Sequence, residues 1–203
     1  MKLLTILLSI FISSNIFAQH DYSDEFKIFL ERSEISLTVL DGYKLEKQVA
    51  KPNVHYLYFY NSNTKTGIHY RILPITEYMK GNSKKNKKSA KEKKEEKENM
   101  FHPNNSYKMT FDMLLMKQNS QKVMSTIPMR AKDLSGIFHA DWGVSSGVAT
   151  HNKPGEEGPL RQGFSIHKKD VATIIVFVSG FEEETLFNEF MNTMVKVSFK
   201  KED

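Results

Sequence analysis

The sequence predicts an α+β fold in which a largely antiparallel sheet is covered by helices on both faces, an α-β-α sandwich. Both alternating sets of side chains are apolar in residues 171–178, so this strand needs cover from water on both sides. Several other β-rich runs are joined by turn-forming residues, as antiparallel strands are. Three segments have the apolar spacing of helices, which is enough to cover both faces of one sheet.

The N-terminal half is predicted to contain one helix and three strands. The helix covers residues 21–32 and begins with acidic residues, which the helix dipole favours there. Residues 35–41 alternate apolar side chains on one side and end at an Asp41-Gly42 turn. Residues 54–60 and 67–75 are β-rich and are joined by several turn formers, so they are predicted to form a hairpin.

The C-terminal half is predicted to contain two helices and four strands. The second helix, residues 106–122, is dense in apolar side chains and is expected to be largely buried. The closing helix, residues 181–195, is expected to have one apolar side, formed by Phe181, Leu186, Phe187, Phe190, Met191 and Met194. The four strands are residues 123–129, 143–151, 160–167 and 171–179.

This order of elements resembles that of PsbP-like domains. The resemblance rests on the opening strand that ends in Asp41-Gly42-Tyr43, the hairpin after it, the late meander of strands and the C-terminal helix. PsbP-like domains are α-β-α sandwiches that generally act as binding or assembly factors. The resemblance therefore implies a non-catalytic role, and it assigns no functional residue.

Residues 1–18 have the pattern of a cleaved export signal. Lys2 precedes an apolar run of about ten residues, too short for a stable membrane span, and Ala18 is the expected cleavage position. The chain has no cysteine, so disulfides and a lipid-modified cysteine are excluded. We expect a single domain over residues 19–203, periplasmic or secreted and not a lipoprotein, with no transmembrane segment after cleavage.

A lysine- and glutamate-rich insertion at about residues 79–100 carries the basic charge of the chain. Residues 80–98 contain nine lysines and four glutamates, and the rest of the mature chain is close to neutral. This segment lacks large apolar residues, so we expect a disordered loop. Its alternative role is contact with anionic surfaces, which would tether the protein to the envelope. The near-neutral remainder argues against nucleic-acid binding.

Two groups of polar residues are candidates for ligand binding. His139, Asp141 and Trp142 lie together just before a predicted strand, where binding sites often occur. His69 and Arg71 share one side of a predicted strand, and Arg161 and His167 share one side of another. If those two strands are neighbours, their side chains converge on an anionic ligand. Tyr56, Tyr58 and Tyr60 alternate on a third strand and are expected to lie under a helix.

No combination of residues forms a convincing catalytic set, a metal site or a cofactor site. Residues 143–147 match the G-x-S-x-G pattern around Ser145, but a strand is predicted after it where the pattern requires a helix. The leading expectation is therefore an exported, non-enzymatic domain that binds a protein, an envelope component or a small ligand. The alternatives are a small periplasmic hydrolase that uses Ser145 and an envelope-associated protein tethered by residues 80–98.

Overall fold

The structure, a computed structural model, describes residues 22–51, 53–75, 103–118 and 126–201. The export signal predicted for residues 1–18 and the insertion predicted at about 79–100 lie outside these ranges. Both therefore remain sequence-based predictions. Among the described residues, no helix is long and apolar enough to cross a membrane.

Along the described chain, single helices alternate with groups of strands. A short helical turn, Ala131–Asp133, continues as a π-helical turn, Leu134–Phe138, between the fifth and sixth strands. The other elements are α1 (Asp24–Arg32), β1 (Ile35–Leu37), β2 (Lys44–Lys51), β3 (Val54–Asn61), β4 (Thr66–Pro74), α2 (Pro103–Gln118), β5 (Thr126–Pro128), β6 (Trp142–Ser146), β7 (Ala149–Gly155), β8 (Gly158–Lys168), β9 (Ala172–Gly180), α3 (Glu183–Met194) and β10 (Val197–Phe199).

Eight strands form one antiparallel sheet in the order β2-β3-β4-β9-β8-β6-β5, and β7 also pairs with β8. The two central pairings are long: β4 pairs with β9 from Gly67↔Ser179 to Pro74↔Ala172, and β8 pairs with β9 from Leu160↔Gly180 to Lys168↔Ala172. This sheet, together with the helices, confirms the predicted α+β class.

Helices cover both faces of the sheet at its centre. Each residue of β9 is buried, as its two apolar sets of side chains predict. On one face, α1, α3 and the small β1–β10 sheet enclose the larger core, with Phe26, Phe190 and Val176 among its members. On the other face, hereafter the α2 face, Phe111 of α2 packs on Phe177 of β9 with 5.9 Å between ring centroids.

The edge strand β2 was missed by the sequence prediction. Its residues are mostly exposed or half-buried, and a bulge between Leu45 and Lys47 interrupts its pairing with β3. An edge strand covered on one side at most has little apolar alternation to detect. Gln48 of this strand donates a hydrogen bond from Nε2 to Ser23 Oγ over 2.7 Å, which joins the edge to the N-cap of α1.

The opening strand does not join the main sheet. β1 is shorter than the predicted 35–41 run, and its partner is β10, a strand that was not predicted after the closing helix. The predicted strand 143–151 is also divided, because residues 147–148 separate β6 from β7. Three-residue strands are below the length at which side-chain alternation can be recognised.

Two predictions about buried helix faces were correct for some residues and wrong for others. Met113 and Met116 of α2 are 59% and 57% exposed, so this helix buries a narrow stripe around Phe111 and Leu115. In the closing segment, Phe181, Phe187 and Met191 are about half exposed, whereas Leu186 and Phe190 are buried. Both helices have more apolar residues than the sheet can cover, so some of these side chains stay exposed.

Candidate functional site

Most of the predicted site residues fall into two groups on the α2 face. Arg161 and His167 lie six residues apart on β8, so their positions are about 20 Å from each other along the strand. His69 joins Arg161 at one end of the sheet, and Asp141 and Trp142 join His167 at the other. The condition that the two strands be neighbours is not met, because β9 lies between β4 and β8.

Glu157 is the centre of the first group, hereafter the Glu157 network. It lies in the turn between β7 and β8, and its Oε1 is 3.2 Å from His69 Nε2. Its Oε2 accepts a hydrogen bond from the Tyr58 hydroxyl over 3.2 Å. On the far side of the imidazole, the Tyr56 hydroxyl is 2.7 Å from His69 Nδ1. A chain of hydrogen bonds thus runs from Tyr56 through His69 to Glu157.

Arg161 connects β8 to this network by crossing β9. Its Nε donates to Ser179 Oγ over 2.9 Å, and its Nη2 is 3.4 Å from Glu157 Oε1. Its guanidinium carbon is 5.9 Å from the centre of the Phe177 ring, within range of a cation–π contact. The small side chain of Ser179 leaves room for this crossing.

Glycines allow the close packing around the network. A Cβ on Gly67 would be 2.9 Å from Glu157 Cβ and 2.9 Å from the Tyr58 ring. A Cβ on Gly163 would be 2.5 Å from the Phe177 ring, which is the ring beneath Arg161. Larger residues at these two positions would displace the groups that hold Glu157 and Arg161.

The charges of the Glu157 network balance internally. Burial opposes ionisation of Glu157, but the hydrogen bonds that the carboxylate accepts from His69 and from a backbone group, together with the charge of Arg161, outweigh it and lower the pKa of this carboxyl to about 2. Burial lowers the pKa of His69, although its hydrogen bond to Glu157 acts in the opposite direction. Near neutral pH the network therefore holds a carboxylate, a guanidinium and a neutral imidazole.

Arg71 lies on the same face of β4 as His69 but outside the network. In the sheet it lies opposite Tyr56 of β3 on one side and opposite Ile175 of β9 on the other. Its Nε is buried and has no hydrogen-bond partner in the described part of the chain. Buried polar groups are almost always bonded, so an unmatched guanidinium nitrogen at this position calls for an explanation.

The second group is an aromatic cluster at the other end of the α2 face. The Tyr107 ring of α2 stacks on His167 with centroids 3.9 Å apart and contacts Trp142 at 4.8 Å. His167 Nδ1 is 3.0 Å from Thr173 Oγ1. Burial lowers the pKa of His167 to about 4, despite the opposing charges of Asp141 and Asp170. This imidazole is therefore a neutral packing group at physiological pH.

Asp141 and His139 have local roles beside this cluster. Asp141 Oδ2 accepts a hydrogen bond from the Lys169 backbone over 2.7 Å, which closes the turn between β8 and β9. His139 ends the π-helical turn with a φ of 48°, and its Nδ1 is 2.9 Å from the Ser135 carbonyl. This contact directs the side chain of His139 back into the turn.

Ser145 lies in the middle of β6, where the nucleophile pattern requires a sharp turn. It pairs with Phe164 of β8, whereas its neighbour Val144 pairs with Ser165 and packs against the α2 face. Its side chain is thus on the opposite face from His167. Among the described residues, no hydrogen bond joins the Ser145 hydroxyl to an imidazole, and the geometry gives the hydrolase alternative no support.

Glu157 was missed in the sequence, although it organises the site. The sequence indicates its role only weakly, because Glu157 is one of two adjacent glutamates in a turn bounded by Gly155 and Gly158. The sequence predicts that Tyr56 and Tyr58 lie under a helix, and it gives no sign that their hydroxyls hydrogen-bond within the network. No group of three or more potential metal ligands is present among the residues that the structure describes.

The fold and site define an α+β domain with a charge-balanced polar network on one sheet face. No protein-family model matches this chain, and no curated protein matches it.

Proposed function

We propose that this protein is an exported, non-enzymatic binding domain that holds an anionic ligand on the α2 face, with Arg71 as the principal contact. The observation that carries the proposal is the buried Nε of Arg71, which has no acceptor among the described residues. A carboxylate or phosphate oxygen would provide that acceptor, and a planar guanidinium suits both groups.

The charge distribution on this face favours an anion. The side chains of Glu157 and Arg161 are about 10% exposed and neutralise each other in an ion pair at 3.4 Å. The guanidinium of Arg71, beside Tyr56, has no such ion pair among the described residues, so in this part of the chain its positive charge is not balanced. The phenol of Tyr56 lies at the border between Arg71 and the network and could donate to the same ligand only by releasing His69.

The bonding of His69 supports a binding role over catalysis. Both of its ring nitrogens have partners, the hydroxyl of Tyr56 and the carboxylate of Glu157. A general base needs a nitrogen that can reach a substrate proton, and His69 does not offer one in this arrangement. The implied likeness to PsbP-like binding and assembly factors agrees with this reading.

Isothermal titration calorimetry of the mature protein with inorganic phosphate, and separately with succinate, tests the ligand class. We expect binding of at least one anion and a loss of about tenfold or more in affinity for Arg71→Gln, because the charged contact is removed. Arg130→Gln is the matched control, since Arg130 is an exposed arginine paired with Asp133 away from the site. Absence of binding for both anions, or equal affinities of wild type and Arg71→Gln, would refute the proposal.

The export part of the proposal rests on residues 1–18 and needs its own experiment. Expression of the full chain in a bacterium with two membranes should yield a periplasmic or secreted product that begins at Gln19. Intact-mass measurement of the product identifies the first residue. A cytoplasmic product that retains Met1 would contradict export.

A further inference from the structure

Helix α3 has a second apolar stripe that the described part of the fold does not cover. Phe187 is 51% exposed, Met191 is 45% exposed, and Val195, at the C-cap, is 60% exposed. They are spaced four residues apart, so they form one continuous row along the helix. The buried residues Leu186, Phe190 and Thr193 lie on the other side. The helix is therefore apolar on the face that the sheet covers and on the face directed outward.

The charges at the two ends of this row are opposite. Glu184 is exposed and lies in the first turn of α3, three residues before Phe187. Lys196 is exposed and follows Val195 directly. A surface with an apolar centre, an acidic end and a basic end complements itself when a second copy is turned around.

We propose that two copies of this chain associate through α3, with the two helices antiparallel and the two-fold axis passing beside Met191. In this arrangement Met191 meets Met191 of the second copy, and Phe187 meets Val195. Glu184 then lies close to Lys196 of the second copy. The antiparallel direction also places the positive end of each helix dipole near the negative end of the other.

The expected association is weak. α3 has 12 residues and is roughly 18 Å long, so a contact confined to this helix lies at the small end of specific interfaces. We expect a concentration-dependent dimer with a dissociation constant on the order of micromolar or weaker, as for small, transient interfaces. Sedimentation equilibrium across the micromolar range should show it with the mature wild-type chain.

The first test places like charges on the proposed axis. Met191→Lys puts two cations against each other, and we expect the dimer dissociation constant to rise about tenfold or more. Ile28→Lys on α1 is the matched control, because Ile28 is 47% exposed and lies outside the stripe. A wild-type chain that stays monomeric throughout, or a Met191→Lys chain that dimerises like the wild type, would overturn the proposal.

The second test fixes the orientation of the helices. The chain has no cysteine, so Met191→Cys introduces a single thiol, and mild oxidation should link two copies while Ile28→Cys remains unlinked. Glu184→Lys and Lys196→Glu should each weaken the dimer, and the double exchange should restore it. Equal cross-linking of the two cysteine variants, or no recovery in the double exchange, would refute the antiparallel pairing.

Discussion

Arg161 Nη2 lies 3.4 Å from His69 Nε2 although β9 separates their strands. The guanidinium reaches His69 because it passes over the Phe177 ring and is fixed by Ser179. Glu157 then bonds to both side chains, from a turn that is 88 residues from His69 in the chain. The stability of the α2 face should therefore depend strongly on this one carboxylate.

Glu157→Gln should lower the free energy of unfolding by about 3 kcal/mol at pH 7, because it removes the carboxylate that forms the ion pair with the buried Arg161. Urea unfolding followed by circular dichroism measures the change. The adjacent Glu156→Gln is the control, since Glu156 is exposed and should change stability by less than about 0.5 kcal/mol. Equal effects of the two variants would show that the ion pair contributes nothing measurable.

His167 should make the protein less stable in mild acid. Its pKa is lowered to about 4 in the fold, so between about 6.5 and 4 the unfolded chain binds a proton that the folded chain does not. Its contribution is fully present above pH 6.5 and is lost as the pH falls toward 4, by up to about 3 kcal/mol. Urea unfolding at several pH values should give a smaller slope for His167→Gln. An unchanged slope would contradict this assignment.

Gly163→Ala should destabilise the sheet by about 2 kcal/mol, because the new Cβ would lie 2.5 Å from the Phe177 ring and 3.1 Å from the Val176 carbonyl oxygen. Thermal unfolding gives the comparison. Gly147→Ala is the matched control, since a Cβ at Gly147 has no atom within 4 Å. Equal unfolding temperatures of the two variants would contradict the close approach of Gly163 to the Phe177 ring.

Phe111→Ala should cost about 4 kcal/mol, because Phe111 is completely buried and its removal leaves a cavity between α2 and β9. Met113→Ala on the same helix is the control, since Met113 is 59% exposed. Trp142, the single tryptophan, packs against this cluster, so its fluorescence follows the loss of α2 docking during urea unfolding. Similar midpoints for the two variants would mean that α2 does not seal this face.

The buried centre of the fold could be predicted because its signals are local. The uninterrupted apolar character of β9 requires two covered faces wherever the strand lies. The short pairing of β1 with β10 could not be predicted, since three residues carry no periodicity and the partner lies at the other end of the chain. The prediction that Phe187 and Met191 lie on the buried side of α3 was also wrong, because the apolar character of a side chain does not show whether a neighbour covers it.

For a similar reason, only part of the candidate site could be predicted from the sequence. His69, Arg71 and Arg161 could be placed on sides of strands by alternation, and the structure has them all on the α2 face. The contacts between these side chains depend on the position of β9 between β4 and β8 and on the turn that carries Glu157.

By itself, the sequence determined the class of fold, the doubly buried strand and the separation of basic charge from the rest of the chain. Only the tertiary structure decided that Arg161 pairs with Glu157 while Arg71 Nε has no hydrogen-bond partner among the described residues, because pairing of charges depends on distances between strands that are remote in sequence.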